Sequence, residues 1–227
     1  MITRLAEIRD HMVSYLNFYH GKNVASNASL ATISTQIASI DSGVRHVRNG
    51  YELFIGNTEM DSIPTHLDFS GFTSMYKMCY GCTALKEVRQ LESGNVTNMM
   101  WAFYGCSALE SIDGLVTSKI TSASELFHGC SSLVSIFYPL DFSNVTSQID
   151  TTFTSCKALV DVSFSGTINV DIFMNGCSKL SVDSLLSLLD ALADGVTDKT
   201  CKIGSINLAK LTDAQKAIAT DKGWTLE

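Results

Sequence analysis

The residues that could do chemistry are few. Cys79-Tyr-Gly-Cys82 has the spacing of a redox or zinc pair, because two thiolates so placed can share a metal or close a small disulfide loop. No second Cys pair at ligand spacing accompanies it. His128 stands two residues before Cys130, where an imidazole could activate a thiol nucleophile. His11, His20, His46 and His66 are scattered along the chain. A Gly-Lys-Ser/Thr phosphate loop, a Gly-x-Ser-x-Gly turn and a helical His-Glu-x-x-His are all missing from the sequence. The expectation is therefore no catalytic residue, no metal ligand and no cofactor.

Both cysteine motifs have a plainer reading, which emerges when the elements that must hold them are sought. Five segments align: Cys79-Tyr-Gly-Cys-Thr-Ala-Leu85, Phe103-Tyr-Gly-Cys-Ser-Ala-Leu109, Phe127-His-Gly-Cys-Ser-Ser-Leu133, Phe153-Thr-Ser-Cys-Lys-Ala-Leu159 and Met174-Asn-Gly-Cys-Ser-Lys-Leu180. Cys82, Cys106, Cys130, Cys156 and Cys177 follow one another at 24, 24, 26 and 21 residues, a period in the leucine-rich-repeat range. Cys79 then falls in the aromatic slot and Cys82 in the cysteine slot. Val88, Ile112, Ile136 and Val162 each follow the Leu slot by three, the mark of a short strand. Val96-Thr-Asn-Met99, Ile120-Thr-Ser-Ala123 and Val145-Thr-Ser-Gln148 form a return limb, and Phe72-Thr-Ser-Met75 places a degenerate first coil near residue 52.

Such a coil cannot bury its apolar face alone. Stacking coils about 4.8 Å apart turns each slot into an internal column, with the thiols as small buried hydrophobes. Seven cysteines is an odd number, so complete pairing within one chain is impossible and reduced thiols are expected. Two of the three glycosylation sequons, Asn95-Val-Thr and Asn144-Val-Thr, are repeat positions, and the third is Asn27-Ala-Ser.

The expected fold class is α/β, a leucine-rich-repeat solenoid with a parallel strand ladder, a helical N-terminal segment and an α/β C-terminal cap. Leu5, Ile8, Met12 and Leu16, then Leu30, Ile33, Ile37 and Ile40, recur at helical spacing, so residues 1–41 read as a helical hairpin serving as cap or oligomerisation segment. Residues 42–180 are the repeats. Residues 181–227 read as helix, strand, helix, strand: Ser181 caps a Leu-rich helix ended by Gly195, a strand lies near Cys201 to Ile206, Thr212 opens a helix stopped by Gly223, and Trp224-Thr-Leu226 closes.

The pattern Phe-x-Gly-Cys-x-x-Leu-x-x-Ile with a Val-Thr-x-Met return limb resembles the BspA-type leucine-rich repeats of bacterial surface proteins, over about residues 52 to 180. The resemblance implies a curved, right-handed β/α solenoid used for adhesion to proteins or cell surfaces, without catalysis. Asn207 to Leu226 is similar to an ending seen on such proteins in gut bacteria and their phages, and the helical start is similar to segments of phage tail proteins. Cys79 in place of the aromatic, Ser155 in place of Gly and the uneven spacings depart from the pattern. They predict an irregular ladder near Phe137 to Phe142 and Gly166 to Phe173.

Side-chain alternation along each Leu-x-x-Ile-x strand turns the residues flanking the second aliphatic away from the core. These are Glu87, Arg89, Ser111, Asp113, Ser135, Phe137, Asp161 and Ser163, the candidate concave binding face, with Phe137 the best contact candidate unless the irregular spacing turns it inward. The expected function is a noncatalytic recognition or adhesion module binding a protein or cell-surface ligand through this face. The alternative is a structural component of a phage or prophage tail, assembled as a homo-oligomer through residues 1–40. The cell surface or a phage particle is the expected location, although the chain as given starts with no signal peptide.

Charge bears on partners. In 227 residues the formal net charge is -7, and residues 50–180 hold 13 acidic and 6 basic side chains. An acidic middle without a basic patch repels phosphate backbones, so no nucleic acid is expected as partner. Hydrophobic residues at 45% with only 17% charged exclude a disordered chain. With no run of 18 apolar residues, membrane insertion is not expected either.

Overall fold

Alternate backbone groups of each repeat bond in two directions, and this accounting explains why the period is so regular. In the turn before each cysteine slot, the N–H groups of Met75, Lys77, Cys79 and Gly81 donate to the carbonyls of Asn98, Met100, Ala102 and Tyr104 in the next coil. Those of Met78, Tyr80 and Cys82 fold back three residues, onto Met75, Lys77 and Cys79. The same pattern links Met99, Trp101, Phe103 and Gly105 to Ser122, Ser124, Leu126 and His128. Every second peptide is thereby satisfied only if another coil lies alongside. The bends require left-handed backbone at Lys77, Trp101 and Glu125, φ 52, 58 and 53°, and again at Gly81, Gly105 and Gly129.

The computed structural model describes residues 50–63, 69–147 and 149–227. The readings of residues 1–41 as a hairpin, and of residues 1–40 as an oligomerisation segment, lie outside these. The described residues form a mixed α/β arrangement of short parallel strands with few helices and no barrel. Strands β1 (Glu87–Val88), β2 (Ser111–Ile112) and β3 (Ser135–Ile136) pair in parallel, Glu87 with Ser111 and Ser111 with Ser135. A second row, β4 (Leu140–Asp141) with β5 (Phe164–Ser165), is offset from the first. The third joins β6 (Ile172–Phe173), β7 (Lys199–Lys202) and β8 (Trp224–Leu226). On the return limb Ser74, Asn98 and Ser122 bridge in parallel, and the hydroxyls of Thr97 and Thr121 donate to Thr73 and Thr97 one coil back.

Leu85, Leu109, Leu133 and Leu159 are all fully buried, and the residues after them bond in sequence, Glu110 N–H to Lys86, Val134 to Glu110 and Val160 to Val134. The expected Leu column is therefore present. Phe103 stacks on Phe127 with ring centroids 6.1 Å apart, and Phe153 meets Phe127 at a tilt with centroids 5.7 Å apart. The first coil, expected near residue 52, already runs from Gly50, whose N–H donates to Ser74, through Phe54 and Gly56, which donate to Met78 and Tyr80. Phe54-Ile-Gly-Asn57 is thus a further copy of the turn, with Asn57 where the others carry Cys.

Two expectations need correction. The ladder does not add a strand for each repeat. The fourth contributes only a bridge, Ser135 to Asp161, and after Leu180 the chain enters helix α1 (Val182–Ala191), capped by Ser181. The reason is that two serine hydroxyls of α1 replace a strand: Ser184 accepts from Val162 N–H at 3.0 Å and donates to the Val160 carbonyl, while Ser187 accepts from Phe164 N–H at 2.8 Å and donates to its carbonyl. Nor does the strand at Cys201 reach Ile206. Gly204, φ 81°, ends it, and Ser205–Leu208 wind into α2, where the Asn207 amide donates to the carbonyls of Cys177 and Ile203. Helix α3 (Asp213–Asp221) opens on Thr212 with a reciprocal capping box to Gln215. The segment is tied back by the Lys222 ammonium, which donates to the carbonyls of Leu189, Asp190 and Leu192 at the end of α1.

Candidate functional site

The strands place the eight face residues in rows. Glu87, Ser111 and Ser135 are directly paired, and Asp161 extends that row through its bridge to Ser135. Between them Val88, Ile112 and Ile136 turn inward and are buried. The N–H groups of Asp113 and Phe137 donate to the carbonyls of Val88 and Ile112, so Arg89, Asp113 and Phe137 form a second row. Ser163 does not join it. Its carbonyl accepts from Leu140, because the chain between Ile136 and Leu140 bows outward and restarts pairing one row over. This is the irregularity expected from the 26-residue spacing. Phe137 is 64% exposed and Tyr138 47% exposed, so the bow turns Phe137 outward.

Arg89 and Glu87 are joined by a 2.7 Å ion pair at the surface, a contact worth about 1 kcal/mol or less. No ion pair involves Glu110, Asp113 or Asp161 among the described residues. Val134, 42% exposed, and Tyr138 lie outside the eight residues expected on the face. A signal existed, since the slot of Val134 is Lys86 and Glu110 in the preceding copies.

A second surface feature lies at the turns. Tyr80, Tyr104 and His128 stack with centroids 4.7 Å apart, and Tyr51 stacks on Tyr76 at 4.8 Å. The Lys77 ammonium sits 4.9 Å from the Trp101 ring centre and 5.3 Å from that of Tyr76, and 3.9 Å from a Glu52 carboxylate oxygen. The ring faces are occupied by one another and by this lysine. The column reinforces the stacking of coils.

The cysteines serve the interior. Cys82, Cys106, Cys130 and Cys156 each donate Sγ–H to the carbonyl of the aromatic slot one coil back: Phe54, Cys79, Phe103 and Phe127, at 3.0 to 3.1 Å. All seven are free and buried. Burial pushes the thiols of Cys130 and Cys201 up to about 12 and those of Cys79 and Cys106 well above the usual range; Cys156 is raised by its hydrogen bond with Cys177 and by burial. His128 faces Tyr104 and stands 3.6 Å from Glu125, while the neighbouring Cys130 thiol is turned to Phe103. Among the described residues no three His, Cys, Asp or Glu side chains are grouped to hold a metal ion, and no helix is long and apolar enough to cross a membrane.

Residues 44–164 match the family model described as Mycoplasma protein of unknown function, DUF285, which is more than half of the chain. The chain belongs to the DUF285 family. No curated protein and no solved structure matches it. The DUF285 match contains all eight face residues and stops at Phe164, before helix α1.

Proposed function

We propose that this DUF285 chain is a noncatalytic recognition or adhesion module. In this reading it is a leucine-rich-repeat solenoid of the BspA type that takes a protein or cell-surface ligand on the concave face formed by its strands. The observation that carries the reading is the exposure of Phe137 and Tyr138 beside an otherwise polar row of Glu87, Ser111, Ser135 and Asp161. Large aromatics left this exposed are the residue types that dominate binding energy where partners meet. Columns of equivalent residues across stacked coils also make the extended contact surface that repeat proteins use. The reading as a phage-tail component rests chiefly on residues 1–41, which lie outside the described residues.

The test is saturable binding of labelled full-length protein to intact bacterial and epithelial cells, compared with Phe137→Ser/Tyr138→Ser. The variant should remain folded, since neither side chain belongs to the buried core, and should lose the binding. Binding that does not saturate, or that ignores the substitutions, would overturn the proposal.

A further inference from the structure

We infer that the ligand of this face is a cationic polypeptide segment, its apolar side chain covering Phe137 and Tyr138 and its Lys or Arg side chains meeting Glu110, Asp113 and Asp161. The inference rests on the strand face being the binding surface, and it assigns the chemistry of what binds there.

The apolar centre consists of Val134, Phe137 and Tyr138, all exposed. One coil before it stand Glu110, bonded through its carbonyl to Val134 N–H, and Asp113, the row neighbour of Phe137. One coil after it stands Asp161, bridged to Ser135. Lys86 and Arg89 belong to the coil beyond Glu110, about 10 Å from Val134 and Phe137 at the spacing of parallel strands, and Arg89 already holds Glu87. That distance exceeds the screening length of about 8 Å at physiological salt, so within the strand rows the carboxylates of the adjoining coils outweigh Lys86 and Arg89 at Phe137.

Complementarity then sorts the partners. A second copy of this chain would bring a net charge of -7 and the same carboxylates to a two-fold contact, and like charges set opposite one another oppose it. A lipid surface and a nucleic acid are both anionic. A neutral glycan would cover the rings and leave the carboxylates dehydrated without a counter-charge, at a cost. A basic polypeptide satisfies both the rings and the charges. The carboxylates on either side of Phe137 are about two coil spacings, or about 10 Å, apart, the length of about three extended residues. A basic residue on each side of an apolar one therefore fits.

The probe is a short fluorescein-labelled peptide of alternating Arg and Leu, with a Glu/Leu peptide of equal length as its mirror, titrated by anisotropy into the full chain. The Arg/Leu peptide should bind and the mirror should not. Phe137→Ser should weaken binding about tenfold, as should Glu110→Gln with Asp161→Asn, and the latter pair should also flatten the salt dependence. Asp194→Asn with Asp198→Asn removes the same charge from an exposed loop of the C-terminal segment and should change nothing. Equal weakening by the two double variants would reduce the effect to overall charge and overturn the inference. If Phe137→Ser abolishes cell binding while Glu110→Gln with Asp161→Asn leaves it intact, the face binds a ligand of another chemistry and only this inference falls. If Phe137→Ser leaves cell binding unchanged, the reading beneath it falls as well.

Discussion

A thiol that donates to a carbonyl differs from one that merely fills space, and serine tells them apart. Cys106 is fully buried, with its Sγ 3.0 Å from the Cys79 carbonyl. Cys201 is equally buried but makes no side-chain hydrogen bond among the described residues. Replacing either with Ala removes about one methylene equivalent of buried volume, worth about 1 to 1.5 kcal/mol. Replacing either with Ser removes similar volume and adds a strong donor. At Cys106 that hydroxyl meets the carbonyl already in place, whereas at Cys201 it is buried without an acceptor, which costs about 1 to 3 kcal/mol. The Cys79 carbonyl thus spares Cys106→Ser the cost of an unsatisfied buried hydroxyl. The difference between Ser and Ala should thus be larger at Cys201 than at Cys106 by about 1 to 3 kcal/mol. Urea unfolding of the four variants, followed by circular dichroism and tryptophan fluorescence, measures it. Equal Ser-minus-Ala differences at the two sites would refute the donor role.

High pH should unfold the protein steeply. Folded thiols at Cys130 and Cys201 ionise only near 12, against an ordinary value of 9.0, so stability is full below about 9 and is lost as pH rises toward 12, by about 1.4 kcal/mol per unit for each such thiol; a flat stability profile from pH 8 to about 11 would contradict this. Ser155 holds φ 66° where other copies place Gly, so Ser155→Gly should raise stability by up to about 1 kcal/mol by thermal melting. Gly114→Ala should do the reverse by more than about 2 kcal/mol, because its Cβ would stand 2.6 Å from the Leu91 nitrogen at φ 78°. Lys222→Met strips three carbonyls at the end of α1 of their donor and should cost about 1 to 2 kcal/mol, with earlier hydrogen exchange at Leu189 to Leu192.

The slots of the repeat were legible because each is filled by one residue type at a fixed period, and burial admits few alternatives. Leu85, Leu109, Leu133 and Leu159 could be aligned for that reason, and so could the outward direction of Glu87 and Ser111. The coil at Phe54 was harder to see because Asn57 replaces the cysteine and Met60 the leucine, leaving only Phe54 and Gly56 of the turn in common. Helix α1 was visible in its leucines, but its role at the sheet edge was not, since nothing in the spacing of Ser184 and Ser187 says that their hydroxyls will face Val160 to Phe164. Phe137 could be named but not oriented, because one extra residue reverses a strand side chain and only the pairing of Leu140 with Phe164 locates the insertion.

A row of identical coils has no intrinsic stopping rule. Each offers its neighbour the same donors and acceptors it has just received, so the last exposed row is a template for another strand, from the same chain or a stranger. Helix α1 supplies the termination. The hydroxyls of Ser184 and Ser187 saturate the groups of Val160, Val162 and Phe164 and, being side chains on a helix, pass no ladder onward. Growth of the first strand row thus ends at the Ser184 oxygen and growth of the second at the Ser187 oxygen, both carried by a helix that offers no strand edge of its own.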